Sequence, residues 1–487
     1  MRANYMEYRS PQFRILSDKQ LEEIHLASLQ ILERTGVSIQ CNEALDLLDG
    51  AGADASDTGR VRVPSFLVER ALRLAPKTIT LYTRDGEPAI VLNGMTSHFG
   101  GINSTELYLE PTTGKPRPCF AEDIGSMARL IDGLPNVEWS VNVTSCSTIP
   151  GAIADKISLV QSLLNTSKPI ASCSNDASSL EEILDLCAMV AGGEKNLRDK
   201  PFFVSTAEPV SPLVHSEESL KKSLLCAENG VPNFVFSAPM AGATAPATLP
   251  AVLALLNAEF LSHLVIIQLK KPGAPVIYGG HPTILDMKTC IFSYGAPESA
   301  LLIASLTELG HYYRLPVFGT AGEVDAMTID AQAATEATIQ IMLSSLSGAD
   351  FVHGIGEMYH GKMMSPELVV LCSEIIEMCN VVMKGLEISE ETLPLDLIDK
   401  VGPKGNYLLE KHTFAHFHEF WTPTVFNRSA IKTPEAKGCA DMLREKTIHL
   451  MKTHQPKPLS NEIVRELKRF EAGWLKRVGL KEYPKNG

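Results

Sequence analysis

The stretch Phe236-Ser-Ala-Pro-Met-Ala-Gly-Ala-Thr-Ala-Pro-Ala-Thr-Leu249 decides the fold. A β-rich apolar run at 233–236 stops in small residues, a glycine and two prolines, and a long apolar helix opens at Leu249. Small residues after a buried strand leave room for something to approach the backbone, and helix N-termini favour anionic groups. In a barrel of alternating strands and helices, that turn lies on the face where sites are built. The same grammar returns at Val276-Ile-Tyr-Gly-Gly280 and at Phe351-Val-His-Gly-Ile-Gly356.

Outward from this turn, β-rich runs fall at 139–145, 169–173, 202–206, 233–236, 276–278, 316–318 and 351–352. Helical patterns separate them, at a spacing of about 30 to 40 residues, the length of a βαβ unit. An eighth run is expected near 393–398. Alternation in this number predicts an α/β fold, a TIM (β/α)8 barrel. No Gly-x-Gly-x-x-Gly follows the first strand, which weakens a dinucleotide-binding sheet. Residues 1–120 are expected to form an N-terminal helical and β-hairpin cap region. Helical spacing at 17–35 is capped by Ser17 or Asp18, and short strands are expected at 79–83 and 89–92. The barrel is expected over 121–409, and a charged C-terminal helical extension over 410–487.

The chain has 487 residues, 45% hydrophobic and 21% charged, enough for one large domain plus an appendage. Its net charge of −13 argues against a nucleic-acid partner and leaves a small molecule or another protein. Polar residues interrupt the apolar run 251–269, so it reads as a buried helix and not as a membrane span. The ten cysteines contain no Cys-x-x-Cys pair, and residues 1–14 show no secretory pattern. A cytoplasmic protein with reduced thiols is expected.

His353 sits at a strand end beside Gly354 and Gly356, with Glu357, Tyr359 and His360 close behind; Glu323 follows another strand. Strand-end positions beside glycines make Glu323, Glu357 and His353 the candidate catalytic residues. Tyr278, immediately before Gly279 and Gly280, is the preferred aromatic face for a cation, with Phe99 and Tyr359 as further candidates. His412, His416, His418 and Glu419 form the densest metal-capable cluster, but His-x-x-x-His within an aromatic run reads as packing. No metal site and no tightly bound cofactor are expected.

Taken with Phe99-Gly-Gly101, the hairpin at 107–118, Tyr294-Gly-Ala-Pro-Glu298, Asp325-Ala-Met-Thr-Ile-Asp-Ala-Gln332 and Lys411-His-Thr-Phe-Ala-His-Phe417, these segments resemble the trimethylamine methyltransferase family. The resemblance implies a TIM barrel that passes a methyl group from a methylated amine to the cobalt of a separate corrinoid protein. Members that demethylate trimethylamine carry pyrrolysine, whereas this sequence uses only the usual twenty residues. The non-pyrrolysine branch acts on quaternary amines, glycine betaine among them. The resemblance therefore implies a quaternary amine substrate, glycine betaine giving dimethylglycine before any other, and a corrinoid (cobalamin) methyl acceptor carried by a partner protein. A homo-oligomer is also expected. The substrate carboxylate would need donors such as His98, His353 or His360, or backbone N–H groups at helix N-termini. A zinc-dependent methanol-type enzyme and a non-catalytic binding module are the competing readings.

Overall fold

The computed structural model describes residues 13–94, 96–142, 146–428 and 437–484. Residues 143–145 of the run expected at 139–145 lie outside it. Eight parallel strands run β1 His98–Ile102, β2 Trp139–Asn142, β3 Ile170–Ser172, β4 Phe203–Ala207, β5 Asn233–Val235, β6 Val276–Ile277, β7 Phe318–Thr320 and β8 Phe351–Ile355. Each pairs with its sequence neighbour, and β8 pairs with β1. The ring closes between β6 and β7, where Tyr278 N donates to Pro316 O (2.8 Å) and Phe318 N to Tyr278 O (2.6 Å). A closed (β/α)8 barrel results, as the strand rhythm predicts.

The eighth strand is not where the sequence places it. The chain at 393–398 leads into the helix Leu395–Val401, and β1 comes from within the expected cap region instead. Two glycines hide β1, because they have low strand propensity. Their reason is space: a Cβ at Gly100 would lie 2.1 Å from the Trp139 ring, and one at Gly101 2.7 Å from Ile131.

Helices α1 Ala121–Asp132, α2 Gly151–Asn165, α3 Ala177–Ala191, α4 Glu217–Asn229, α5 Leu249–Lys270, α6 Pro297–Tyr312, α7 Ala331–Ser347 and α8 Pro366–Lys384 follow the strands in order. Helix α5 is apolar all round because it is covered all round. The N-terminal helices Asp18–Gln30, Asn42–Ala51 and Ser65–Leu74 pack on it. The first of these opens with a capping box between Ser17 and Gln20. The hairpin Ile79–Tyr82/Pro88–Leu92 crosses the N-terminal end of the barrel; Tyr82 N bonds Pro201 O, and Arg84 N bonds Ser167 O.

At the opposite end, two small sheets rim the mouth. One joins Glu357–Met358, Met363–Met364, Leu107–Glu110 and Lys115–Pro118; the other joins Met240–Ala241, Thr283–Asp286 and Ile291–Phe292. The C-terminal helices Cys439–Thr453 and Asn461–Arg477 pack on the exterior, against α8 and α1 and against α2 and α3. Between α8 and these helices, an arm at 385–420 stands out. Leu386, Leu409, Phe414 and Phe420 are 73% or more exposed. The arm is held by its own bonds, including Lys400 to Glu410 and His412 Nε2 to Glu391 O. His412 and His416 belong to this arm; His416 Nδ1 bonds Glu419 at 2.6 Å.

Candidate active site

Aromatic rings fill the inside of the barrel below the mouth. Trp139 stacks on Phe351 at 3.7 Å and Phe234 on Phe318 at 4.4 Å. Above this floor is a cavity of about 360 Å³ whose walls include Glu323, His353, Glu357, His281, Tyr294 and Phe236. The residues arrive from the C-terminal ends of β5 to β8, the face a TIM barrel uses for chemistry.

Glu323 is the hub. It is 1% exposed and accepts from His353 Nδ1 at 2.8 Å. His281 Nε2 lies 3.0 Å from its other oxygen, near enough for an ion pair but out of line for a hydrogen bond. The local chain is shaped around this carboxylate. Gly354 has φ +110°, and a Cβ there would sit 2.2 Å from Glu323 Cγ, so only glycine fits. The β8–β1 register shifts between Val352 and Ile355, a bulge that carries His353 to the mouth.

Glu357 completes the group. One oxygen, Oε2, is buried with no hydrogen-bond partner among the described residues. A Cβ at Gly361 would meet both Tyr294 Oη (2.7 Å) and Glu357 Oε1 (2.9 Å), so phenol and carboxyl converge on one point. The two carboxyls titrate in opposite senses. Burial works to raise Glu323, but the adjacent His281 and His353 outweigh it and hold it below its ordinary value. Burial raises Glu357, and the charge of Glu323 raises it further. Glu323 is thus the fixed anion and Glu357 the proton-holding neighbour.

The rings of Phe236, His281, Tyr294 and Phe292 stand around these carboxyls. His281 is 4.9 Å from Tyr294 and 5.9 Å from Phe236, and Phe292 is 5.0 Å from Tyr294. Aromatic faces backed by carboxylates attract a cation that has no N–H to donate. One ligand atom each from Glu323, His353 and Glu357 also lie within 4.8 Å of one another, so the same group could hold a metal ion. No such ligand set is visible along the sequence.

The three candidate catalytic residues therefore meet, and most of the candidate binding residues stand elsewhere. Tyr278 is fully buried outside the barrel; its hydroxyl donates to Asn257 Oδ1 at 3.0 Å, and its ring packs on Phe260 and Tyr313. Gly279 and Gly280 serve packing, since Cβ atoms there would collide with Phe318 and with Leu256 and Ser237. Phe99 shares the outward face of β1 with Gly101, which meets Ile131 of α1. His98 lies at the N-terminal end of the barrel, bonded to Glu138 at 2.8 Å. Tyr359 and His360 brace the rim: Tyr359 N bonds Ala326 O, and His360 Nδ1 bonds Asp325 at 3.0 Å. His281, Tyr294 and Phe236 take the places expected of Tyr278 and Phe99. Strand alternation carries the signal for His281, because at the end of β6 Tyr278 and Gly280 face the helices while Gly279 and His281 face inward.

The family model for trimethylamine methyltransferase (MTTB) matches residues 1–476. The trimethylamine methyltransferase MttB of Desulfitobacterium hafniense (strain DSM 10664 / DCB-2) is 31% identical over 93% of this chain and 92% of its own length. A glycine betaine methyltransferase of Desulfitobacterium hafniense (strain Y51) is 31% identical over 96% and 98%. Among solved structures, the Methanosarcina barkeri monomethylamine methyltransferase MtmB superposes with a TM-score of 0.50 at 14% identity, covering 96% of this chain and 89% of that one. At that identity the likeness is one of fold alone. With the whole-length match and relatives of this identity, the chain belongs to the trimethylamine methyltransferase family.

Proposed function

We propose that the protein transfers a methyl group from a quaternary amine to the Co(I) corrinoid of a partner protein, with glycine betaine as the reference substrate. The observation that carries this reading is the ring of Phe236, His281 and Tyr294 around the buried Glu323–Glu357 pair. The corrinoid supplies the nucleophile; the C–N bonding pair stays on nitrogen, which leaves as a neutral tertiary amine. No proton need be delivered to that leaving group. The chain's own task is then positioning and exclusion of water. Glu323, locked by two histidines, presents a fixed negative charge beside the ammonium. Glu357 gives up its proton when the cation arrives, and the aromatic faces hold the N-methyl groups.

Incubation with a reduced corrinoid protein and a panel of amines tests the proposal. One demethylation of a betaine is expected, with trimethylamine inert. No transfer from any quaternary amine would leave a binding module. A second reading, a metal-dependent methyltransferase of the methanol type, draws on the clustering of Glu323, His353 and Glu357. One bound zinc per chain, lost together with activity on chelation, would establish it.

The exposed arm supports the expected homo-oligomer. It follows α8, which runs away from the mouth, so a second copy seated there leaves the mouth clear for the corrinoid protein. A standard interface buries about 800 Å² per partner, on the scale that such a row of large apolar side chains supplies. Light scattering should give a dimer or larger, and Leu409→Asp with Phe414→Asp should dissociate it.

A further inference from the structure

Next to the active-site cavity is a second chamber of about 550 Å³ that shares Asn175, Glu208 and Phe236 with it. Its inner wall is the first two turns of α4, with Ser219 and Lys222. Lys222 is 3% exposed, yet among the described residues its ammonium makes one hydrogen bond, to Ser174 O at 3.1 Å. Its nearest carboxylate, Glu208, is 3.8 Å away, too far for a hydrogen bond, and belongs to a residue with a side chain about half exposed. Two hydroxyls nearby are also idle: Ser174 Oγ and Ser219 Oγ are buried and have no hydrogen-bond partner among the described residues. Glu218, the other carboxylate on this wall, is engaged by Ala177 N at 2.9 Å and by Lys221.

A buried ammonium with unused N–H groups, two orphaned hydroxyls and the positive end of a helix make an anion site. We propose that this site binds the carboxylate of the methyl donor, with Lys222 as its main determinant. The proposal rests on the quaternary-amine reading above and narrows it. Ser174 follows β3, and Lys222 and Ser219 follow β4, whereas Glu323 and Glu357 follow β7 and β8. In a ring of eight strands these are opposite sides of the mouth. Strand spacing and tilt set that mouth at on the order of 15 Å between backbones. Ser174 lines the active-site cavity itself, and Lys222 stands behind it in the second chamber. Glycine betaine, with one carbon between its charges, is the shortest candidate for that span, and a betaine with a spacer of several carbons reaches it more fully, its ammonium among the aromatic rings and its carboxylate at Lys222. Glu208 swings toward solvent when that carboxylate takes its place.

The test is methyl transfer to the corrinoid protein from trimethylammonium carboxylates of increasing spacer length, each paired with its uncharged methyl ester. Wild-type kcat/KM is expected to rise with spacer length and to exceed that of glycine betaine by about tenfold or more. Lys222→Met should raise KM for the long carboxylate by about tenfold with kcat little changed, and should shift the ester by less than about twofold. Ser219→Ala, a smaller change should Lys222→Met fold poorly, should show the same split at lower amplitude. Equal losses on carboxylate and ester, or glycine betaine as the best donor with Lys222→Met indifferent to the carboxylate, would overturn the subsite alone. Failure of wild type to demethylate any quaternary amine would instead overturn the reading beneath it.

Discussion

Two buried histidine pairs sit a few turns of chain apart and do opposite things. His281 and His353 flank Glu323 at the edge of a cavity. His215 and His263 touch each other, Nδ1 to Nδ1 at 3.1 Å, sealed between β4, α4 and α5. Ser262 bonds His215 at 2.8 Å and Ser223 bonds His263 at 2.7 Å; among the described residues no carboxylate pairs with either ring. Burial pushes His215 down to about 3, and burial, His215 and Lys222 together push His263 well down as well. Both rings stay neutral and act as hydrogen-bonded spacers. Burial is the same in the two places. A carboxylate and an open volume are what separate a charged, usable site from a strut.

The largest test of this contrast is removal of the carboxylate. Glu323→Gln should lower kcat/KM by about 100-fold or more and should cost about 3 kcal/mol of stability, because the two buried imidazoles lose the carboxylate they face. Near wild-type activity in a folded variant would take the hub out of the site.

The sealed pair should reveal itself through pH. Both histidines have folded pKa values below the unfolded 6.5, so the unfolded chain binds more protons below that pH and stability falls as pH drops. Each contributes a loss of about 1.4 kcal/mol per pH unit between about 6.5 and the folded value. Urea denaturation at about pH 7 and about pH 5 checks this, and His263→Gln should flatten the slope.

Glu357 should show the opposite sign. Its folded pKa is raised, so the folded state holds an extra proton above the ordinary carboxylate range, and stability declines as pH rises through that window. Glu357→Gln should raise Tm most at alkaline pH, by an amount equivalent to about 1 to 2 kcal/mol. Because a bound ammonium expels the same proton, KM for the donor should fall as pH rises in wild type and stay flat in the variant. A KM profile of the same shape in both would remove Glu357 from cation binding.

The smallest effect separates two tyrosines. Tyr294→Leu should raise KM about tenfold, the loss of one cation–π contact of about 1.4 kcal/mol. Tyr278→Phe should leave kinetics alone and cost about 1 kcal/mol of stability, since its hydroxyl serves only the bond to Asn257. Reversed outcomes would restore Tyr278 to the cavity.

The barrel was legible because period-two apolar runs recur at regular intervals, a signal local to each strand. Strand β1 was not, because its glycines are explained only by Trp139 and Ile131, which lie far along the chain. Glu323, His353 and Glu357 could be picked out by position at strand ends. Their partners could not: His281 joins them only once β6 and β7 are side by side, and the direction of a single residue at a strand end decides between Tyr278 and its neighbours. The idle hydroxyls of Ser174 and Ser219 are visible only as missing bonds, and a sequence records none.

The hairpin at Ile79–Leu92 and the Trp139–Phe351 and Phe234–Phe318 stacks close the barrel from below. On the proposed function, donor, tertiary-amine product and cobalt must therefore all use the mouth. With the corrinoid protein seated there, the donor can neither enter nor the product leave. Turnover then follows a compulsory order: amine first, corrinoid second, and release of the methylated carrier before the amine product. Excess corrinoid protein should consequently inhibit by occupying the empty barrel, and that inhibition should fade as the amine concentration is raised.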